Sequence, residues 1–143
     1  MSTSKLEVVL DLTIDEEKQA AVMFKSVQND YAKAEGALKQ ALKYRMEYEE
    51  LSRGVRPSKY ALLQLRTARS FLNNIDSLIE NQRSILKVKQ KALDDSREHW
   101  QFLRARIKSI EAVIESRGKS RRIAEEKREQ ARLDDLFGHT ISH

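Results

Sequence analysis

An apolar side chain recurs at every seventh position through the second half of the chain, and this repeat constrains the fold more than any other feature. The repeat consists of Leu65, Leu72, Ile79, Leu86, Leu93, Trp100, Ile107 and Ile114. A sustained seven-residue period is typical of a helix that packs against another helix in a left-handed coiled coil. We therefore expect an all-α protein built from long helices.

Each half of the chain carries one such stripe. The second half adds companion positions at Ala68, Ile75, Gln82, Lys89, Ser96, Leu103 and Ile110, so its stripe is apolar at both ends and polar in the middle. The first half has a stripe with alternating spacings of four and three, at Ala20, Phe24, Val27, Tyr31, Ala34, Leu38, Ala41, Arg45 and Tyr48. Two stripes joined by a short connection predict an antiparallel coiled-coil hairpin, with the stripes facing each other.

The only proline marks the connection between the two helices. Pro57 follows Gly54 by three residues, and Gly just after one helix with Pro at the start of the next is the expected order. Capping-box patterns begin at Ser4 and Thr13, and we favour the earlier helix start, with an irregularity near Thr13. The sequence predicts a single coiled-coil domain over 1–143, with helices at about 4–52 and 58–136, a turn at 53–57 and a flexible tail at 137–143. Gly118 is not expected to end the second helix.

Composition narrows the classes of function. The 143 residues include four Gly, one Pro and no Cys, which argues against a turn-rich fold, a disulfide scaffold and thiolate catalysis. No apolar run approaches the roughly 20 residues that span a bilayer, and the N-terminus lacks the features of a secretory signal, so the default compartment is the cytosol. The sequence contains no phosphate-binding Gly loop and no His and carboxylate spacing typical of a metal site. We expect no enzymatic activity, no catalytic residues, no metal and no cofactor.

Charge is distributed unevenly along the chain. Residues 52–123 carry 17 basic and 7 acidic side chains, whereas residues 1–51 carry 7 basic and 10 acidic ones. The basic excess fits either an acidic partner or a solvated helix face. Nucleic acid is the weaker candidate partner, because the sequence contains no motif of the common nucleic-acid-binding modules.

Two sets of residues are candidate binding surfaces. Counting outward from the turn places residue i opposite about residue 111 minus i. The start of the first helix is therefore expected to lie opposite about position 107, and the second helix to continue beyond it without a partner. The stripe Ile107, Ile110 and Ile114 would then need a cover from another protein or a second copy. The second candidate set lies nearer the turn, where aromatic and apolar residues flank the stripe. These residues either widen the stripe or form a docking surface.

The order of several motifs resembles the FliJ family of bacterial flagellar export proteins. The matching elements are Tyr44, Arg45, Glu47 and Tyr48 near the end of the first helix, then a Gly-containing turn, Phe71-Leu72, Asn81-Gln82, Trp100, and a charged terminal helix from Glu126 through Gln130 to Leu136. The resemblance spans nearly the whole chain. The tail from Phe137 to His143 departs from it.

This resemblance implies a stalk-like coiled coil of the type III flagellar export apparatus, similar to the central stalk subunit of rotary ATPases. It implies four partners, namely the export ATPase FliI, its regulator FliH, the export gate protein FlhA and the export chaperones. The implied gate contact comprises Tyr44, Tyr48, Phe71, Ile75, Leu78 and Gln82. The implied contact with the ATPase ring comprises Ile107, Ile110, Ile114, Arg117, Arg121 and Arg122.

The resemblance also implies a location at the cytoplasmic face of the inner membrane, where membrane contact is made only through partners. No small-molecule substrate is expected. Two alternatives remain open. One is the equivalent stalk protein of a virulence injectisome, and the other is a generic coiled-coil adaptor or nucleic-acid-associated protein.

Overall fold

The structure, a computed structural model, describes residues 2–53 and 61–141 and contains two helices. Helix α1 spans Thr3–Arg53 and helix α2 spans Ala61–Ile141. The described residues form no strand, and the two helices pack against each other in an antiparallel hairpin, which confirms the predicted fold class. The predicted turn around Gly54 and Pro57 lies outside the described residues.

Helix α1 begins at neither of the predicted capping boxes. The Ser2 hydroxyl oxygen accepts a hydrogen bond from the Lys5 backbone N–H at 3.3 Å, and the Leu6 N–H donates to the Ser2 carbonyl at 3.0 Å. Thr13 lies inside the helix, where its hydroxyl donates to the Val9 carbonyl at 2.7 Å. A threonine bonded in this way satisfies its own side chain within a continuous helix, so it caps nothing and no break occurs there.

Helix α2 differs from its predicted boundaries at its C-terminal end. Its predicted start at 58 lies outside the described residues, and the helix passes through Gly118 without interruption. It also continues to Ile141, so residues 137–141 are helical and the predicted flexible tail is wrong over that stretch. Residues 142 and 143 lie outside the described part of the chain. Arg53, predicted to lie in the turn, is the last residue of α1.

Contacts group the residues into two compact units. Unit 2 comprises Ala20–His99, and its core contains Ala41, Ile75 and Ile79, with Leu38 packed against them. Every predicted stripe position of α1 from Ala20 to Tyr48 is buried or half-buried. On α2 the same holds within this unit from Ala68 to Ser96, but Leu65 is an exception with 49% of its surface exposed. Seven-residue periodicity therefore predicts the seam of unit 2 almost completely.

Unit 1 comprises Met1–Gln19 and Trp100–His143. Leu103 is its best-buried apolar residue, at 2% exposure, and Thr13 is buried at 4%. The Trp100 indole N–H donates to a Glu17 carboxylate oxygen at 2.8 Å, and the Arg104 guanidinium lies 5.0 Å from the centre of the Trp100 ring. Directional contacts between side chains thus accompany a narrow apolar seam in this unit. Whether the chain is one folding domain stays a prediction.

Candidate partner-binding surfaces

The first predicted surface, here called the aromatic cluster, comprises Tyr44, Tyr48, Phe71, Ile75, Leu78 and Gln82. All six residues lie in unit 2. The rings of Tyr48 and Phe71 are in contact, with centroids 4.1 Å apart and planes inclined by 36°. This contact joins α1 to α2 and fixes the centre of the cluster.

The structure divides the aromatic cluster into exposed and buried members. Tyr44, Phe71 and Leu78 expose 50%, 40% and 45% of their surfaces, which is enough to contact another protein. Ile75 is only 6% exposed and belongs to the core beside Ile79. Tyr48 and Gln82 are half-buried in the seam. Three side chains therefore form the accessible surface, and Ile75 supports it from beneath.

A shallow apolar groove borders the aromatic cluster. It has a volume of about 360 Å³, and its lining comprises Tyr48, Leu51, Ser52, Leu63, Gln64, Thr67 and Ala68. Leu51 and Leu63 are 71% and 65% exposed. Sequence periodicity did not single out these leucines because neither occupies a stripe position; their exposure in unit 2 comes only from the structure.

The other flank of unit 2 is charged. The Arg45 guanidinium donates to Asp76 at 2.6 Å across the helices and to Glu49 at 2.6 Å along α1. The hydrogen bond and charge of Asp76, followed by the charge of Glu49, raise the pKa of Arg45 above its ordinary value. Arg45 was predicted as a stripe residue, but the sequence did not reveal its partner Asp76. An acidic residue one position after Ile75 was the available signal.

The second predicted surface, here called the distal set, comprises Ile107, Ile110, Ile114, Arg117, Arg121 and Arg122, all in unit 1. The prediction that the isoleucines lie beyond the end of α1 is wrong. Glu17 contacts Trp100, and the Arg121 guanidinium donates to the Thr3 hydroxyl at 3.4 Å. Residues of α1 between Thr3 and Glu17 therefore lie along α2 between Trp100 and Arg121.

A similar offset in pairing is found in unit 2. The counting rule places Arg45 opposite residue 66, but the Arg45 guanidinium contacts Asp76, ten residues further along α2. The three isoleucines of the distal set are half-buried, as is Arg117, whereas Arg121 and Arg122 are exposed. The exposed extension of α2 begins after Ala124, and residues 125–138 are exposed throughout. Its large apolar side chains are Leu133, Leu136 and Phe137, at 44%, 60% and 64% exposure.

Within the described residues, 2–53 and 61–141, no group of three or more His, Cys, Asp and Glu side chains could hold a metal ion. Neither helix contains, over its described length, a stretch apolar enough to cross a membrane. The surface features of both units are instead exposed apolar side chains, ion pairs and arginines. This combination, on a pair of long antiparallel helices, defines the class of coiled-coil hairpin proteins.

Comparison with known families assigns the chain more narrowly. The family model described as Flagellar FliJ protein matches residues 1–143, the whole chain. The chain belongs to the FliJ family and is a component of the flagellar export apparatus. Comparisons with curated proteins and with solved structures gave no match.

Proposed function

We propose that this chain is a non-enzymatic, stalk-like coiled coil that links the export ATPase ring to the export gate and assists the export chaperones. The observation that carries this proposal is the family match over the whole chain, together with exposed apolar and basic surfaces in separate units. Its role is to bind other proteins, because shallow grooves on two paired helices offer no site that excludes water. It uses no cofactor and takes no small-molecule substrate.

The gate protein FlhA is the proposed partner of the aromatic cluster. Tyr44, Phe71 and Leu78 supply exposed apolar area, and aromatic side chains dominate the energetics of many interfaces. The contact between the rings of Tyr48 and Phe71 holds Phe71 in place before a partner arrives. Such preorganisation reduces the entropy lost on binding.

The export ATPase FliI, with its regulator FliH, is the proposed partner of the distal set. Arg121 and Arg122 are exposed and can pair with acidic side chains of the ring. The half-buried Ile107, Ile110 and Ile114 contribute mainly by keeping α1 packed against α2. In this proposal the chain stays at the cytoplasmic face of the inner membrane, and its partners alone hold it there.

Purified FlhA and FliI test the two assignments separately. Phe71→Ala and Tyr44→Ala should each weaken FlhA binding about tenfold, because truncated interface aromatics commonly cost more than 1 kcal/mol. The matched control is Phe102→Ala, since Phe102 is an exposed phenylalanine of α2 in the other unit, at 60%. Binding is measured by isothermal titration calorimetry, and circular dichroism checks that helix content is unchanged. Unchanged FlhA affinity in both cluster variants would exclude the gate assignment.

Charge reversal tests the ring assignment. The double variant Arg121→Glu, Arg122→Glu should reduce stimulation of FliI ATP hydrolysis, whereas Arg66→Glu, Arg69→Glu in unit 2 should not. Reduced stimulation by cluster variants that still bind FlhA normally would reverse the two assignments. Stimulation of an injectisome ATPase in preference to FliI, or salt-dependent binding of duplex DNA in place of either partner, would point to the alternative functions.

A truncation that tests the exposed extension of α2 must leave the hairpin intact. Removing the residues after Gln101 or Ile107 would strip α1 of its packing partner, because Thr3 lies beside Arg121. Ending the chain after Ala124 removes only the exposed extension. If the extension binds FliI or FliH, this shorter chain loses that partner and keeps FlhA.

A further inference from the structure

Two shallow grooves with matching positions lie on one face of α2 in unit 2. One groove, of about 440 Å³, is lined by Arg66, Thr67, Ser70, Phe71 and Asn74. The other, of about 500 Å³, is lined by Lys87, Val88, Lys91, Ala92 and Asp95. Every lining residue of the second groove follows its counterpart in the first by 21 positions, as Lys87 follows Arg66. The grooves are therefore the same surface feature, three heptads apart.

This spacing has a structural meaning. Twenty-one residues of helix correspond to about 31 Å at a rise of 1.5 Å per residue. A second helix in heptad register repeats its apolar side chains at the same interval, so one helix lying along α2 can place a side chain in each groove. Unrelated globular partners have no reason to match a 21-residue interval.

The surface between the grooves suits a helix with an apolar stripe. Leu78 and Ile85 are 45% and 37% exposed and occupy the same heptad position as Phe71 and Ala92. The neighbouring positions on this face hold uncharged Ser77, Asn81 and Ser84, and the acidic side chain of Glu80, which also lies between the grooves, is paired with Arg83 at 3.8 Å. Depletion of charge is typical of the buried centre of an interface. The opposite flank, with its Arg45–Asp76 ion pair, lacks this property.

The groove rims indicate the charge of the partner. Arg66 borders the first groove, and Lys87 and Lys91 border the second, where Asp95 is the single acidic lining residue. A partner helix whose apolar stripe is flanked by glutamates or aspartates would pair with these cations. A helix flanked by lysines would be repelled.

We propose that the face of α2 from Arg66 to Asp95 binds one amphipathic helix of a partner protein, with an apolar heptad stripe and acidic flanks. This inference deepens the proposed gate contact, because Phe71 belongs to both surfaces. It rests on the proposed function only for the identity of the partner. The helix-in-groove mode uses apolar anchors at helical spacing for affinity and flanking charges for selectivity.

Designed peptides test the inference without the gate protein. One labelled helical peptide of four heptads carries leucine at the two stripe positions and glutamate at the two flanking positions, and a second carries lysine in place of glutamate. Fluorescence anisotropy with the full chain should show at least about tenfold tighter binding of the glutamate peptide, a ratio within the range of charge-based selectivity. Equal affinities for the two peptides would overturn the proposal that the partner helix has acidic flanks.

Two valines provide a matched pair of variants. Val88 lines the second groove at 67% exposure, whereas Val22 is 71% exposed on α1, away from this face. Val88→Glu should weaken binding of the glutamate peptide about tenfold, and Val22→Glu should leave it unchanged. Equal effects of the two variants would overturn the docking face. A dimer detected by sedimentation that Val88→Glu dissociates would also overturn it, because a second copy would then be the occupant.

The outcomes for the face and for the gate can be separated. Tyr44→Ala tests only the proposed function, since Tyr44 lies on α1 and lines neither groove. If FlhA responds to Tyr44→Ala but the peptides do not discriminate, the inference fails and the proposed function stands. If the peptides behave as expected and FlhA ignores every cluster variant, the docking face stands and the gate assignment fails.

Discussion

Unit 2 and unit 1 hold parts of the same two helices together with different chemistry. Among the described residues, unit 2 contains seven of the eight buried apolar side chains, and unit 1 contains only Leu103. Unit 1 instead has the Trp100–Glu17 hydrogen bond and the Arg121–Thr3 contact. Burial is non-directional, whereas hydrogen bonds specify which atoms meet. We infer that unit 2 contributes most of the free energy of pairing and that unit 1 depends more on specific contacts.

The largest expected effect tests the contribution of buried apolar side chains to unit 2. Ile79→Ala should lower the free energy of unfolding by about 3 kcal/mol, because it removes most of a side chain that is 4% exposed. Leu78→Ala, the matched control at the adjacent and 45% exposed position, should cost less than half as much. Urea unfolding followed by circular dichroism measures both. Equal losses would show that burial in unit 2 is not the main source of stability.

A smaller effect tests the contribution of hydrogen bonds to unit 1. Trp100→Phe should lower the free energy of unfolding by about 1 kcal/mol, since it removes the indole N–H that donates to Glu17. In a chain that already carries Glu17→Ala, the same change should cost much less. A double-mutant cycle measures this coupling and separates the hydrogen bond from the lost ring volume. Additive losses would mean that the bond contributes nothing to unit 1.

The smallest effect concerns the exposed ion pair of unit 2. Asp76→Asn removes a charge facing Arg45, and the Asp76 side chain is 51% exposed. Exposed ion pairs contribute little and are screened by salt. The change should produce a slight decrease in melting temperature at low ionic strength and none in about 1 M salt, where the Debye length is about 3 Å. A decrease that persists in high salt would show that Asp76 has a packing role.

Periodicity was sufficient to predict the helices and the seam, because burial follows the heptad from Ala20 to Tyr48 and from Ala68 to Ile114. It could not predict the pairing of the helices. A shift of one helix by seven residues leaves every stripe position facing a stripe position, so the pattern alone does not distinguish one register from the next. Specific contacts between the helices, such as Trp100 with Glu17 and Arg45 with Asp76, show which register forms.

The candidate surfaces were predicted less completely. Tyr44 and Phe71 lie where the sequence suggested, on an accessible surface, because both flank the stripe. Ile75 occupies the stripe itself and is buried, so a partner cannot reach the side chain directly as the predicted contact surface requires. The repeated grooves at Phe71 and Val88 were missed, although apolar residues at flanking heptad positions were a signal that could have revealed them.

The Arg45–Asp76 pair also bears on how the hairpin avoids misfolding. If α1 slipped along α2 by one heptad, the residue in the place of Asp76 would be Arg83 in one direction and Arg69 in the other. Both slipped arrangements set two guanidinium groups side by side, and like charges in such positions repel. An ion pair too exposed to add much stability can therefore still raise the energy of the two nearest competing folds. The ion pair therefore favours the native register during folding, because the apolar stripes alone fit the native register and both slipped registers equally well.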